Sequence, residues 1–342
     1  MGNTLPACSN GVRRFLSYLG WCCCTSKHPV RVFIGGVEYN VERLLGEGGS
    51  AYVYKGRDTR SGNLVALKRF ALKDHQYKTQ CMEEVALHRS LCPHSSIITF
   101  YDSDIVKRPG PILPELWIVM ELSEAPTLAN YINIRMSVKQ SLTIREVYEI
   151  SHVVVGVIAH MHSQSPPVSH WDIKAENFLF EDSQNLKLCD FGSASRLYYE
   201  PQNALHVSIA EAELGERMTL LYRPPESLDL WSRQRVDTKC DVWSLGVLIY
   251  LLIFFEMPFE ANVMEIMDGI PRRFREDNRE ETSSPSEEFK PLVDIVRTMM
   301  LVKDPMKRAD IFDISQRLSA LSHIPPIPRP RPGYQRPQDP RF

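Results

Sequence analysis

Two periodicities divide the chain. In the first third, apolar residues come in short, strand-like runs. Val32-Phe33-Ile34, Gly35-Gly36 and then Val37 to Leu45 read as a hairpin leading into a first long strand. Val53-Tyr54-Lys55, Leu64 to Phe70, Ile97 to Tyr101 and Trp117 to Glu121 continue the strand pattern. Among them, Gln76 to Ser90 places Met82, Val85, Ala86 and Leu87 at helical spacing. After Thr127 the character changes: Val147 to His162, Asp241 to Phe255 and Phe289 to Met300 read as helices. A mainly antiparallel sheet with one helix, followed by a helical half, predicts an α+β fold of two lobes, a small β-rich lobe and a larger α-helical one. No internal repeat is visible.

The same pattern sets the boundaries. Residues 1–30 form a Cys-containing head, 31–322 one folded region with lobes at about 31–122 and 123–322, and 323–342 a Pro- and Arg-rich tail expected to be extended or disordered. Pro271 to Glu288 is charged and Ser/Pro-containing, as a solvated loop would be. With 342 residues, 43% of them hydrophobic, the chain can bury a substantial core. A formal net charge of −2 gives no reason to expect nucleic acid as the main partner. Of eight cysteines, Cys8, Cys22, Cys23 and Cys24 crowd the head, while Cys81, Cys92, Cys189 and Cys240 are scattered. This is no disulfide framework, and the N-terminus lacks the apolar run of a secretory signal, so the expectation is a cytoplasmic protein with reduced thiols. The strongest apolar run, Val242 to Phe255, is shorter than the ~20 residues that span a bilayer and reads as a core helix.

Several short motifs carry chemistry. Gly46-Glu47-Gly48-Gly49-Ser50-Ala51-Tyr52-Val53 lies between two strand signals, where glycines let a turn press backbone N–H groups against phosphates. Alone it reads rather as an ordinary hairpin turn, and Ala51 stands at the third glycine of the G-x-G-x-x-G pattern. Lys68, in Ala66-Leu67-Lys68 on the third strand, is a cation inside an apolar run and needs an anionic partner. Glu84 on the following helix is preferred over Glu83 because it directly precedes the apolar Val85. His170-Trp171-Asp172-Ile173-Lys174-Ala175-Glu176-Asn177 is the strongest motif. Its spacing suits phosphoryl transfer: Asp172 orients a hydroxyl and accepts its proton, Lys174 neutralises phosphoryl charge, and Asn177 holds a metal. Asp190-Phe191-Gly192 follows with a second carboxylate ligand; such oxygen donors suit Mg²⁺.

In this order and spacing the residues from Tyr39 to Leu321 resemble the eukaryotic protein kinase superfamily, including Pro224-Pro225-Glu226, Asp241 and Arg308. The resemblance implies a two-lobed kinase fold with ATP and Mg²⁺ as cofactors. It implies nucleotide contacts from Gly46, Glu47, Gly48, Gly49, Val53, Ala66, Lys68, Met120, Glu121 and Ser123, catalysis by Asp172, Lys174, Lys68 and Glu84, and metal ligation by Asn177 and Asp190. It also implies that Asp241 braces the catalytic loop, that Arg308 pairs with Glu226, and that Thr219 bridges Asp172 and Lys174 as in the serine/threonine class. Met120 in an apolar strand also reads as simple core. A narrower resemblance, carried by Cys189 to Ala194, Thr219 to Glu226, Asp237 to Gly246 and Met257-Pro258-Phe259, is to the numb-associated kinase family. It implies an extra helix within Ser195 to Met218 and work in endocytic or secretory traffic.

The head resembles the myristoylated and palmitoylated member of that family. Gly2 follows the initiator Met, Cys8 and Cys22 to Cys24 could carry palmitate, and Arg13 and Arg14 attract anionic lipid, although Pro6 departs from the usual Ser or Thr. The expectation is a peripheral protein of an endocytic or Golgi-type membrane. Two rivals stand beside the enzyme reading: a pseudokinase, favoured by Ala51 and Trp171, and a tethered scaffold whose Pro325-Pro326-Ile327-Pro328 docks an SH3-like groove. Trp171 has a further consequence. Many kinases place an arginine there to bind an activation-loop phosphate bidentately, and an indole with one neutral donor cannot do so. The expectation is a loop held by packing and active without phosphate.

Overall fold

A computed structural model describes residues 30–48, 51–110, 113–181, 185–275 and 287–322. The expectations for the head, for Gly49, for most of the 271–288 loop and for the tail fall outside these residues. The chain divides into two compact units: 30–71 with Asp102–Leu122, and Leu72–Tyr101 with 123–322.

The first unit is built on a sheet. Strands β1 (Val30–Ile34), β2 (Val37–Glu47), β3 (Tyr52–Asp58), β4 (Leu64–Ala71), β5 (Phe100–Val106) and β6 (Glu115–Met120) lie in the order β1-β2-β3-β4-β6-β5. The β1–β2 turn has Gly35 at φ +56° and Gly36 at φ +79°, left-handed conformations that favour glycine at both central positions of a two-residue hairpin. Alternation along the strands then separates two faces. Val32, Ile34, Tyr39, Val41, Tyr54, Val65, Leu67, Trp117 and Val119 form one apolar cluster. On the other face Val53 stands opposite Lys68, and Ala66 opposite Met120. Lys68 is therefore on the fourth strand rather than the third, because the β1 arm adds a strand ahead of the long one.

In the second unit, α1 (His75–Leu91) starts where the Asp74 carboxylate accepts a 2.7 Å bond from the Tyr77 N–H. Helix α2 (Leu128–Ser137) follows, then α3 (Ile144–His162), which opens with a capping box between Thr143 and Glu146. A short hairpin, β7 (Phe178–Phe180) with β8 (Leu186–Leu188), precedes α4 (Ala204–Arg217). Helix α5 (Lys239–Phe254) is buried on nearly all sides and is the expected core helix. The shorter α6 (Val263–Asp268) and α7 (Lys290–Ile295) and the terminal α8 (Ile311–Ser322) complete the unit. Among the described residues no helix is long and apolar enough to cross a membrane.

Three expectations change. The strand placed at Ile97 to Tyr101 runs instead over Phe100–Val106. Ile97 and Ile98 are buried, and their backbone pairs with Leu188 in an isolated bridge. The helix placed at Phe289 to Met300 is interrupted. Lys290–Ile295 is α-helical, and Val296–Met300 widens into a π turn that packs Met300 and Leu301 against α5. The approach is so close that a Cβ on Gly246 would meet Met300 Cβ and Leu301 Cδ2 at 2.9 Å. Finally, Leu72–Tyr101 groups with the second unit rather than with a 31–122 lobe, because Leu87, Leu91 and Ile97 enter the same core as Val154 and Leu248.

Candidate active site

Each unit presents its own share of the chemistry. In the first, β2 and β3 run on either side of the glycine-rich turn, with Gly46 opposite Val53 and Glu47 opposite Tyr52. The Gly48 N–H bonds the Ala51 carbonyl at 2.9 Å, and a Cβ on Gly46 would meet nothing within 4 Å. Gly46 thus leaves bare backbone beside the turn, as a phosphate-binding loop requires. Ala51, standing for the third glycine, is buried. Val53, Ala66, Lys68 and Met120 share one face of the sheet. Lys68 is buried, its ammonium 5.2 Å from the Phe70 ring centroid. Glu121 directly follows β6.

In the second unit Glu84 is buried while Glu83 is exposed. Glu84 lies against the Asp190-Phe191-Gly192 turn: a Cβ on Gly192 would come 3.2 Å from Glu84 Oε2 and 3.4 Å from Asp190 Oδ1. Any larger residue there would push one carboxylate aside. Ser123 is occupied within this unit, its hydroxyl donating to the Phe180 carbonyl at 2.6 Å.

The catalytic loop is fixed from below by one buried carboxylate. Asp241 accepts 2.8 Å bonds from the backbone N–H groups of His170 and Trp171, and meets His162 Nε2 at 2.8 Å. That anchoring helps hold Trp171 at φ +63°, a conformation unfavourable to a bulky side chain. Asp190 likewise sits at φ +62°. Phe191 is buried between His88, 4.6 Å away and stacked, and His170, 5.7 Å away edge-on. Burial pushes the pKa of His170 below its ordinary value, outweighing the attraction of Asp241, Asp172 and Asp190 for its protonated form.

Asp172 is the centre of the arrangement. Thr219 Oγ1 donates to its Oδ1 at 2.7 Å, and Lys174 Nζ lies 2.7 Å from its Oδ2 and 3.0 Å from Thr219 Oγ1. The implied Thr219 bridge is present. Asn177 Nδ2 donates to the Asp172 carbonyl at 2.8 Å and to Oδ2 at 3.2 Å. Spending its amide nitrogen this way makes the carbonyl Oδ1 the atom Asn177 can offer a cation. Among the described residues no three His, Cys, Asp or Glu side chains gather into a metal cage. One amide oxygen and the Asp190 carboxylate fit a magnesium ion whose remaining ligands are phosphate and water. Farther down, Arg308 and Glu226 form the implied pair, bidentate at 2.7 and 2.9 Å and both buried.

Residues that sequence reasoning did not single out complete the support. Ser169 and Ser195 exchange two 2.9 Å backbone bonds, and Tyr199 and Val236 exchange bonds of 3.0 and 2.9 Å. Arg217 donates to the Ser193 carbonyl at 3.2 Å, and the Ser193 hydroxyl donates to the Arg217 carbonyl at 2.7 Å. No local motif marks these pairs. The signal that could have found them is the helical spacing of Val207, Ala210 and Leu214, the buried face of α4.

The protein kinase domain family matches residues 39–318. Curated proteins similar to the chain include two from Dictyostelium discoideum, each named a probable serine/threonine-protein kinase. They are 30% and 31% identical over 299 and 293 residues, covering 86% and 84% of this chain. Actin-regulating kinase 1 of Saccharomyces cerevisiae is 30% identical over 303 residues, covering 85% of the chain. The chain spans only 25%, 34% and 45% of the lengths of these three relatives, in the order given. By this match, and with Lys68, Asp172, Lys174, Asn177, Asp190 and the Arg308–Glu226 pair in place, the chain belongs to the protein kinase domain family.

Proposed function

We propose that the protein is a serine/threonine protein kinase that transfers the γ-phosphoryl group of ATP to protein hydroxyls. The observation that carries this reading is the Asp172 carboxylate held between Thr219 and Lys174. Asp172 orients the acceptor hydroxyl and takes its proton. Lys174, already aimed at the same point, neutralises charge on the phosphoryl group in flight. Asn177 and Asp190 would hold magnesium, which bridges the phosphate oxygens and offsets their charge. The glycine-rich turn and the buried Lys68 would hold the nucleotide phosphates, whose negative charge suits a buried lysine. Catalysis on this account is positioning and electrostatics. The test is incorporation of γ-phosphate from Mg·ATP into a generic Ser/Thr protein substrate. Wild-type protein should label it, and Asp172→Asn should not. Equal labelling by both would sink the reading.

The narrower reading is a numb-associated-type kinase acting on trafficking proteins at a membrane. Helix α4 supports it, since it stands where that resemblance implies an extra helix after the activation loop. Gly2, Cys8 and Cys22 to Cys24 supply the membrane argument, because stable anchoring takes more than one acyl chain. An SH3-like partner for the Pro325–Pro328 segment belongs to the same proposal.

A further inference from the structure

Strand β1 is one edge of the six-stranded sheet, and among the described residues no strand pairs with its outer side. The Gly35-Gly36 turn sets which of its backbone groups face outward. In such a two-residue hairpin the residues flanking the turn, Ile34 and Val37, exchange N–H···O bonds, and alternate residues back along the strand repeat this. Ile34, Val32 and Val30 therefore bond to β2, while the N–H and C=O groups of Arg31 and Phe33 point to the open side. The side chains alternate as well. Val32 and Ile34 are buried in the apolar cluster of the first unit, and Arg31 and Phe33 stand on the outer face, Phe33 being 60% exposed.

Open edges are normally guarded by charge, proline or a bulge. The opposite edge strand, β5, carries Asp102 and Asp104, and Asp104 Oδ2 accepts from the Gly35 N–H at 3.4 Å, which steadies the β1–β2 turn. Strand β1 has no proline and no register shift against β2. Its one charge, Arg31, lies 3.4 Å from Glu38 across the hairpin.

We propose that β1 pairs antiparallel with β1 of a second copy of this chain, about a two-fold axis at Val32. The outward groups dictate that register: Arg31 of each copy faces Phe33 of the other, and their backbones exchange four N–H···O bonds. The side chains complement each other in the same register. Each Arg31 guanidinium meets the exposed Phe33 ring of the other copy, with Glu38 next in line, since Glu38 stands opposite Phe33 on β2. On the inner side Val30 faces Ile34 of the other copy, and Val32 meets its own symmetry mate. A strand that is its own complement is what a two-fold interface requires. Only five residues of each copy take part, so the dimer is weak and reversible. The inference does not depend on the kinase reading.

The experiment is sedimentation velocity of the full chain over a concentration series, for wild type, Phe33→Lys and the double variant Arg31→Glu/Phe33→Lys. Both side chains are exposed, so the variants should fold, and circular dichroism checks this. Wild type should pass from monomer to dimer as concentration rises. Phe33→Lys sets an ammonium against Arg31 of the other copy and should raise the dimer Kd about tenfold or more. The double variant places opposite charges across the axis and should return the Kd to within about threefold of wild type. Wild type that stays monomeric at every concentration would overturn the proposal. If the Arg31 and Phe33 amides of such a monomer resisted hydrogen exchange, another segment of the same chain would be the occupant of this edge. A dimer indifferent to Phe33→Lys, or a double variant that fails to recover, would equally overturn it by placing the interface elsewhere or in another register. Sedimentation needs no phosphoryl transfer, so an inactive protein would sink the kinase reading and leave this result standing.

Discussion

Thr219 shows how much a single hydroxyl can organise. It donates to Asp172 Oδ1 and accepts from Lys174, which itself lies 2.7 Å from Asp172 Oδ2, so one hydroxyl closes a three-way contact that orients the ion pair. Thr219→Val keeps the shape and removes the bridge. We expect kcat to fall at least about tenfold with little change in KM for ATP, and Thr219→Ser to recover most of it. Steady-state kinetics of the two variants check this, and an unimpaired Val variant would contradict it. The same bridge argues against Thr219 as an activating phosphosite, since a phosphate there would meet the Asp172 carboxylate. At this scale the sequence was most legible. Asp172, Lys174, Asn177 and Asp190 are told by spacing alone, because phosphoryl transfer needs those groups within a few ångströms of one atom. The hydrogen bond from the Tyr199 hydroxyl to Glu213 was not legible, since nothing local to either residue points at the other across fourteen positions.

Helices and strands fix these side chains through a few buried polar ties. Arg308, fully buried, spans from its loop to Glu226, to the Val302 and Lys239 carbonyls and over the Trp243 ring. Removing one partner strands a buried charge. Arg308→Leu should therefore cost about 3–5 kcal/mol of stability, visible in denaturant unfolding; a loss under about 1 kcal/mol would show that the site relaxes. The α4 start is a milder case. Asn203 accepts from the His206 N–H at 3.0 Å, so Asn203→Ala should cost about 1 kcal/mol. Element boundaries were read well where local chemistry marks them, as at the Gly35-Gly36 turn. They were misread where tertiary packing decides. The residues Phe289 to Met300 carry a helical pattern, but the last five widen into a π turn where Met300 and Leu301 close on Gly246 of α5. The exposed Met82 and Ala86, counted toward the apolar stripe of α1, are replaced in its buried face by Cys81, Glu84 and His88. Burial of polar residues for chemistry is what periodicity cannot foresee.

Over the whole molecule, histidines set an acid limit. Burial pushes His94, His152 and His170 below the ordinary value of 6.5. Each binds its proton more weakly folded than unfolded, so the unfolded chain gains protons first as pH drops. Their contribution to stability is whole above pH 6.5 and declines below it. Denaturant midpoints should fall between about pH 7 and pH 5.5, above the range where ordinary carboxylates titrate. A flat profile would mean these rings are solvated when the chain breathes. The two-part α+β division was legible from periodicity, while the grouping of Leu72–Tyr101 with the helical unit was not, because it depends on which core Leu87, Leu91 and Ile97 enter. All of these features serve one claim, that the chain is a working protein kinase. The most direct measurement is transfer of labelled γ-phosphate from Mg·ATP to serine or threonine of an added protein, run side by side for wild type and Asp172→Asn. Labelled phosphoserine or phosphothreonine with the wild type alone is the predicted result, and no labelling above the Asp172→Asn background would contradict the account.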